Sequence, residues 1–256
     1  MGMLDSHRII ITGGSQGIGF AVAEKCVSEG ASVILVARNR NELQEAVKKL
    51  SQKSSKNHRS YSLDVGNLED VRAFMKWVTD EKLEINSLVN CAGVYGPIGK
   101  TPDVDLAELS KAIQINLLGT IYMCGVFAPA LKSRGRKKIV NFSGGGAASP
   151  FPNYSAYAIS KVAIVRFTEN LALELLSDDF DINCVAPGFV ITRLHQQTIA
   201  AGNRTVGEAF YETTKKQIEG GGVPPEKAAE LTCFLLSGES DGITGKFISA
   251  PWDPWQ

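Results

Sequence analysis

The sequence is short of the features that mark metalloproteins, disulfide scaffolds and membrane proteins. Its five cysteines, Cys26, Cys91, Cys124, Cys184 and Cys233, include no two within four residues of each other. That leaves no Cys-x-x-Cys motif, and no metal site is expected. An odd number of thiols scattered through apolar runs suits a reducing compartment, so a cytoplasmic location is expected. No apolar stretch precedes residue 9, and none is read as reaching the roughly 18 residues of a membrane span. Neither a signal nor a membrane partner is therefore expected. Charge is balanced, with 27 Lys plus Arg against 27 Asp plus Glu. A nucleic-acid partner would need a local basic patch. The longest basic cluster, Arg134 to Lys138, is short and reads as a solvated loop before a strand, so no nucleic acid is expected. Proline-rich linkers, composition shifts and internal repeats are missing too, and the 256 residues read as one domain.

What is present is an alternation of short apolar runs and longer amphipathic ones, the pattern of βαβ units on a parallel sheet. Strands are predicted at Ile9–Thr12, Val33–Ala37, Tyr61–Leu63, Leu88–Asn90, Ile139–Phe142, Ile182–Val185 and residues 247–249. Helices are predicted over about 17–29, 40–53, 68–80, 105–132, 154–176 and 225–236. The expected architecture is a single doubly wound, Rossmann-type α/β domain. A long connection at about 189–222 lies beyond a strand's C-terminal end, where it can cover a site.

Directly after the first strand comes Thr12-Gly13-Gly14-Ser15-Gln16-Gly17-Ile18-Gly19, which opens a helix. Glycines there let the backbone approach a pyrophosphate, and the helix N-terminus offers free N–H groups to it. Glycines also end strands for steric reasons alone; the position between strand one and helix one favours cofactor binding. At the end of strand two, where an NAD enzyme places a carboxylate, stands Ala37, followed by Arg38. With no acid to repel a phosphate and a guanidinium able to grip one, NADP(H) is the expected cofactor and NAD(H) the alternative.

Together with Asp64-Val65, Asn90-Cys91-Ala92-Gly93, Asn116-Leu-Leu-Gly119, Tyr157-x₃-Lys161 and Pro187-Gly188, this loop resembles the short-chain dehydrogenase/reductase family in motif and order, over residues 8–249. The resemblance implies that Asp64 and Val65 border the adenine. It implies that Asn90, Ala92 and Gly93 line the cofactor, and that the segment Pro187, Gly188, Val190 and Thr192 meets the nicotinamide. It also implies that Asn116 bends its helix and holds a water linked to Lys161, and that the chain assembles as a homotetramer or at least a dimer. Asparagine is in any case an unfavourable residue inside a helix.

Tyr157 and Lys161 are four residues apart on a helical pattern and so share a face. A tyrosine with its ordinary pKa of about 10 is a poor base near neutrality, and a neighbouring ammonium is expected to lower it. It could then give a proton to a carbonyl oxygen or take one from an alcohol. The family's substrate serine, thirteen residues before the tyrosine, falls on Gly144. Ser143 is the nearest replacement, brought in by rotation of the Gly144–Gly146 run; Ser149 and Ser155 are the other hydroxyls nearby. Arg193, His195, Gln196, Gln197, Arg204, Tyr211, Lys215 and Lys216 in the 189–222 segment suggest a small polar substrate. The expected activity is hydride transfer between NADP(H) and a ketone or secondary alcohol. The alternatives are a regulator or scaffold without turnover and an epimerase or lyase of the same family.

Overall fold

The computed structural model describes residues 2–133 and 135–255. Seven parallel strands form one sheet: β1 (Arg8–Thr12), β2 (Ser32–Ala37), β3 (Arg59–Ser62), β4 (Ser87–Asn90), β5 (Lys137–Phe142), β6 (Phe180–Ala186) and β7 (Phe247–Ser249). Their order is β3-β2-β1-β4-β5-β6-β7, all pairs in parallel register. The two-residue period of a strand sends alternate side chains to opposite faces. Ile9 and Ile11 join Val33, Leu35, Val89 and Val140 on one face, whereas Ile10 joins Ile34, Val36, Leu88 and Ile139 on the other.

The first face is covered by α1 (Gly17–Ser28), α2 (Arg40–Lys53) and α9 (Pro225–Leu236), through Val22, Leu43 and Leu235 among others. The second is covered by α3 (Leu68–Asp80), α5 (Gly119–Phe127) and α6 (Ser155–Glu174), through Phe74, Phe127 and Ala172. Both faces are apolar because both are buried, as parallel sheets require.

The predicted helix over 105–132 is two helices, α4 (Leu106–Ile113) and α5, joined by a π-turn at Gln114–Leu118 with Asn116 inside it. Counted through, Leu106–Ala130 is long and apolar enough to cross a membrane, contrary to the expectation of no such segment. Half of its most apolar window is buried within this fold, where it packs under the sheet. The 189–222 connection is helical too, as α7 (Arg193–Val206), kinked at Gly202 where φ is 77°, and α8 (Glu208–Glu219).

At the N-terminal edge of the sheet, the expected solvated basic loop is an ion-pair network. Asp181, fully buried, meets Arg136 Nε at 2.8 Å and Lys138 Nζ at 2.7 Å. Lys138 is itself only 2% exposed and also pairs with Asp241 at 2.7 Å. Arg134, the first residue of that cluster, lies outside the described residues.

Candidate active site

Strand order reverses between β1 and β4, and the connections leaving these two strands flank the crevice at their C-terminal ends, the usual place for a ligand in such a sheet. Thr12 pins the two sides together: its hydroxyl oxygen accepts from the amides of Cys91 (3.0 Å) and Ala92 (3.1 Å). The glycine loop then turns tightly enough that a side chain at Gly19 would run into the Gly13 carbonyl. Gln16 precedes α1 without making any side-chain capping bond. The first amides of α1 therefore remain available to an anion. Ser15 reaches Glu42 Oε2 at 3.4 Å, and Ile18 packs into the core behind the loop.

Arg38 is exposed and lines a cavity of about 480 Å³ between α4 and α7, together with Val94, Gly96, Lys111 and Ile115. Val65 is 7% exposed and sits so close to α5 that a Cβ at Gly119 would lie 2.8 Å from its side chain. Asp64 folds its carboxylate onto the Gly66 amide at 2.9 Å. These residues gather at one end of the crevice and fit the adenosine half of a dinucleotide: an uncapped helix, a close-approach glycine loop and a cation at the rim.

At the other end, Asn116, Gly93, Lys161 and Tyr157 come together. A Cβ at Gly93 would lie 3.3 Å from Asn116 Oδ1 and 3.5 Å from Lys161 Nζ. Asn116 holds the main chain of Val94 at both ends of its amide, accepting from its N–H and donating to its carbonyl, each at 2.8 Å. The bend follows from the π-turn, and the side-chain amide is held by main-chain groups. Lys161 donates to the Phe142 carbonyl at 2.9 Å, with Nζ 5.4 Å from the Tyr157 ring centroid.

Burial raises the Tyr157 pKa and lowers that of Lys161. The expected lowering of the tyrosine pKa is thus not found. The ammonium is committed to a carbonyl and lies by the ring, and desolvation outweighs it.

Several predicted residues face elsewhere. Ser143, 3% exposed, donates its hydroxyl to the Lys161 carbonyl at 3.0 Å; the position facing the Tyr157 hydroxyl is Gly144. The rotation expected to bring Ser143 in does not occur, because its own amide continues the sheet with Val185 at 2.9 Å. Asn90 turns sideways to donate to Asn141 at 2.9 Å, tying β4 to β5, so Ala92 and Gly93 line the crevice without its side chain. Gly188 turns above Pro251, and Val190 is buried. Thr192 reaches back to the glycine loop: its methyl would lie 3.6 Å from a Cβ at Gly17.

Sequence reading missed the aromatic wall around Tyr157. Tyr95 stands edge-on to it with centroids 4.9 Å apart, and Phe151 lies at 6.4 Å. It also missed Glu42, which binds Arg193 at 3.0 Å and ties α7 to α2. No motif marks either.

The amphipathic α7 and α8 turn Arg193, Gln196, Gln197, Arg204, Lys215 and Lys216 to solvent, while Leu194, His195, Phe210 and Tyr211 are partly buried. Of the residues that suggested a polar substrate, Gln197 lines the cavity beside Arg38, and His195 and Tyr211 pack near Tyr95 and Tyr157, while the others face solvent. His195 lies 4.1 Å from Phe189 and 6.2 Å from Tyr95, centroid to centroid, and Thr192 Oγ1 is 3.4 Å from its Nδ1. Burial brings its pKa from 6.5 down to about 4. Between those values the unfolded segment binds the proton and the folded one does not, so stability is lost as pH falls through that window. Amides of residues 193–206 are expected to lose hydrogen-exchange protection between pH 7 and pH 5, once corrected for intrinsic rates. His195→Gln should abolish the difference; an unchanged wild type would refute this account.

The sequence profile described as short chain dehydrogenase matches residues 7–202. Dehydrogenase/reductase SDR family member 4 of Bos taurus is 30% identical over 96% of this chain and 86% of its own length. NAD+-bound xylitol dehydrogenase superposes with a TM-score of 0.87 at 24% identity, covering 96% of this chain and 98% of that one. A short chain dehydrogenase from Shigella flexneri 2a str. 301, complexed with NADP, gives a TM-score of 0.84 at 22% identity over 97% of this chain and 98% of that one. With the profile spanning both the glycine loop and the Tyr157–Lys161 helix, the chain belongs to the short-chain dehydrogenase/reductase family of NAD(P)-binding oxidoreductases.

Proposed function

We propose that this oxidoreductase moves a hydride between NADP(H) and a ketone or secondary alcohol in the cytoplasm, with Tyr157 as general acid and base. The observation that carries it is Lys161, buried at the end of β5 between Asn116 and Tyr157, beside a loop and helix start that fit a dinucleotide phosphate. The nicotinamide cofactor, when bound, supplies or takes the hydride. The chain's own residues manage the proton. Tyr157 passes it to a carbonyl oxygen or takes it from an alcohol, Lys161 sets its ammonium against the tyrosine ring, and Asn116 fixes the Val94 backbone beside them.

The aromatic wall of Tyr95 and Phe151, with neutral His195 opposite, favours a compact substrate with an apolar body. Five free thiols support a reducing cytoplasm. Oxidation of NADPH against a panel of ketones and diketones tests the reading; NADPH binding with no turnover of any carbonyl or alcohol would overturn it.

The cofactor preference rests on Ala37 and the exposed Arg38. Ala37→Asp is expected to weaken NADPH binding by about tenfold or more while sparing NADH, because a carboxylate there repels the 2′-phosphate. Fluorescence titration of both cofactors checks it, and equal losses would count against the assignment.

Assembly as a homotetramer or dimer is part of the same proposal. Ile159, Val162 and Leu173 on α6 are 51%, 47% and 74% exposed, an apolar face without cover in the single chain. Trp252 is 80% exposed, whereas Trp255 folds back to donate to the Ala250 carbonyl at 2.9 Å. Light scattering is expected to give a multiple of 27.6 kDa; a monomer at every concentration would refute it.

A further inference from the structure

Position 144 is where the family pattern puts its substrate serine, and the structure has no room for one. A Cβ at Gly144 would run into the Tyr157 hydroxyl. At Gly146 it would lie 2.5 Å from Ala158 Cβ, and at Gly145 it would lie 3.2 Å from the Phe151 ring. The glycine run therefore lies flush against the first turns of α6 and against Phe151, and the tyrosine oxygen rests where a side chain would have been. Ser143 cannot act for it, because its hydroxyl is committed to the Lys161 carbonyl on the buried side.

What the run offers is main chain. Among the described residues, none of the amides of Gly144, Gly145 and Gly146 donates to a protein acceptor.

We infer that these amides supply the second hydrogen bond to the substrate oxygen, the one a serine hydroxyl would otherwise make. This rests on the oxidoreductase reading above. A substrate oxygen that exchanges a proton with Tyr157 must come within hydrogen-bond reach of its hydroxyl, and so against this strip of backbone. A backbone N–H is preorganised, with no rotamer to fix, and acts on charge that grows on the oxygen as the proton and hydride move. Glycine at 144 does two jobs. It brings the backbone close enough to donate, and it leaves the tyrosine its place.

The test uses the full chain with NADPH and 1-phenylpropane-1,2-dione as the probe carbonyl. Glycolic acid is placed at 144, 145 or 146 by semisynthesis, which exchanges one N–H for an ester oxygen and keeps the shape. At least one ester is expected to lower kcat by about 10- to 10²-fold, with the NADPH Kd and melting temperature unchanged. Ser143→Ala is expected to turn over like the wild type. Gly144→Ser is expected to lose about tenfold or more through displacement of the tyrosine. Wild-type turnover by all three esters, a gain in Gly144→Ser, or a loss of that size in Ser143→Ala overturns the inference alone. A wild type that binds NADPH and reduces no carbonyl removes the inference and the proposed function together.

Discussion

Tyr157→Phe is expected to reduce kcat by about 10²- to 10⁴-fold, the range for loss of a positioned general acid or base. The fold should not notice. Tyr157 is 9% exposed, its ring is held edge-on by Tyr95 at 4.9 Å, and among the described residues its hydroxyl makes no hydrogen bond that a phenylalanine would orphan. Cofactor affinity and melting temperature should therefore stay at wild-type values while turnover falls. Lys161→Ala is a poorer probe of chemistry, because it also strands the Phe142 carbonyl that Nζ now satisfies. If Tyr157→Phe keeps more than half the wild-type turnover, the proton path runs through another group.

The largest effect on stability is expected at the opposite edge of the sheet. Asp181→Ala leaves Lys138, 2% exposed, with only the half-exposed Asp241 and the Ser240 hydroxyl at 3.3 Å, and leaves Arg136 with the exposed Asp179 and the Phe180 carbonyl. Removing one partner of a buried pair typically costs about 3–5 kcal/mol, since the remaining charge stays out of water. For a chain of this size that corresponds to a fall in Tm of about 6–20 °C. Lys138→Met in the same background removes the stranded charge and should recover part of the loss. A thermal scan of the two variants separates this account from simple loss of packing, which the double variant would only worsen.

The sheet and its helices were legible in the sequence because apolar alternation and glycine position are local signals. Ile9, Ile10 and Ile11 read as part of the first strand, and the fold buries all three. The π-turn left only one sign, an asparagine amid apolar residues, since an extra residue in a helical turn keeps the helical pattern on either side. Tyr157, Lys161 and Asn116 could be named from spacing and resemblance, and the fold brings them together. Ser143 misled for a reason visible only in three dimensions: strand pairing continues through its amide, which fixes the direction of its side chain. The basic cluster before β5 misled similarly. Its partners Asp181 and Asp241 lie far along the chain, and no local pattern announces a pairing of that range.

The two ends of β5 thus answer to different demands. Lys138 and Phe142 are four residues apart along an extended strand, about 13 Å. At that separation, with no shared partner, the free-energy effects of two substitutions usually add. Natural variation can therefore rework the crevice, trading one carbonyl compound for another, while the ion network at the other end of the strands keeps the fold's stability unchanged. An engineer can use the same independence: a stabilising change below the sheet can be combined with a specificity change above it, and each carries its own effect into the double variant.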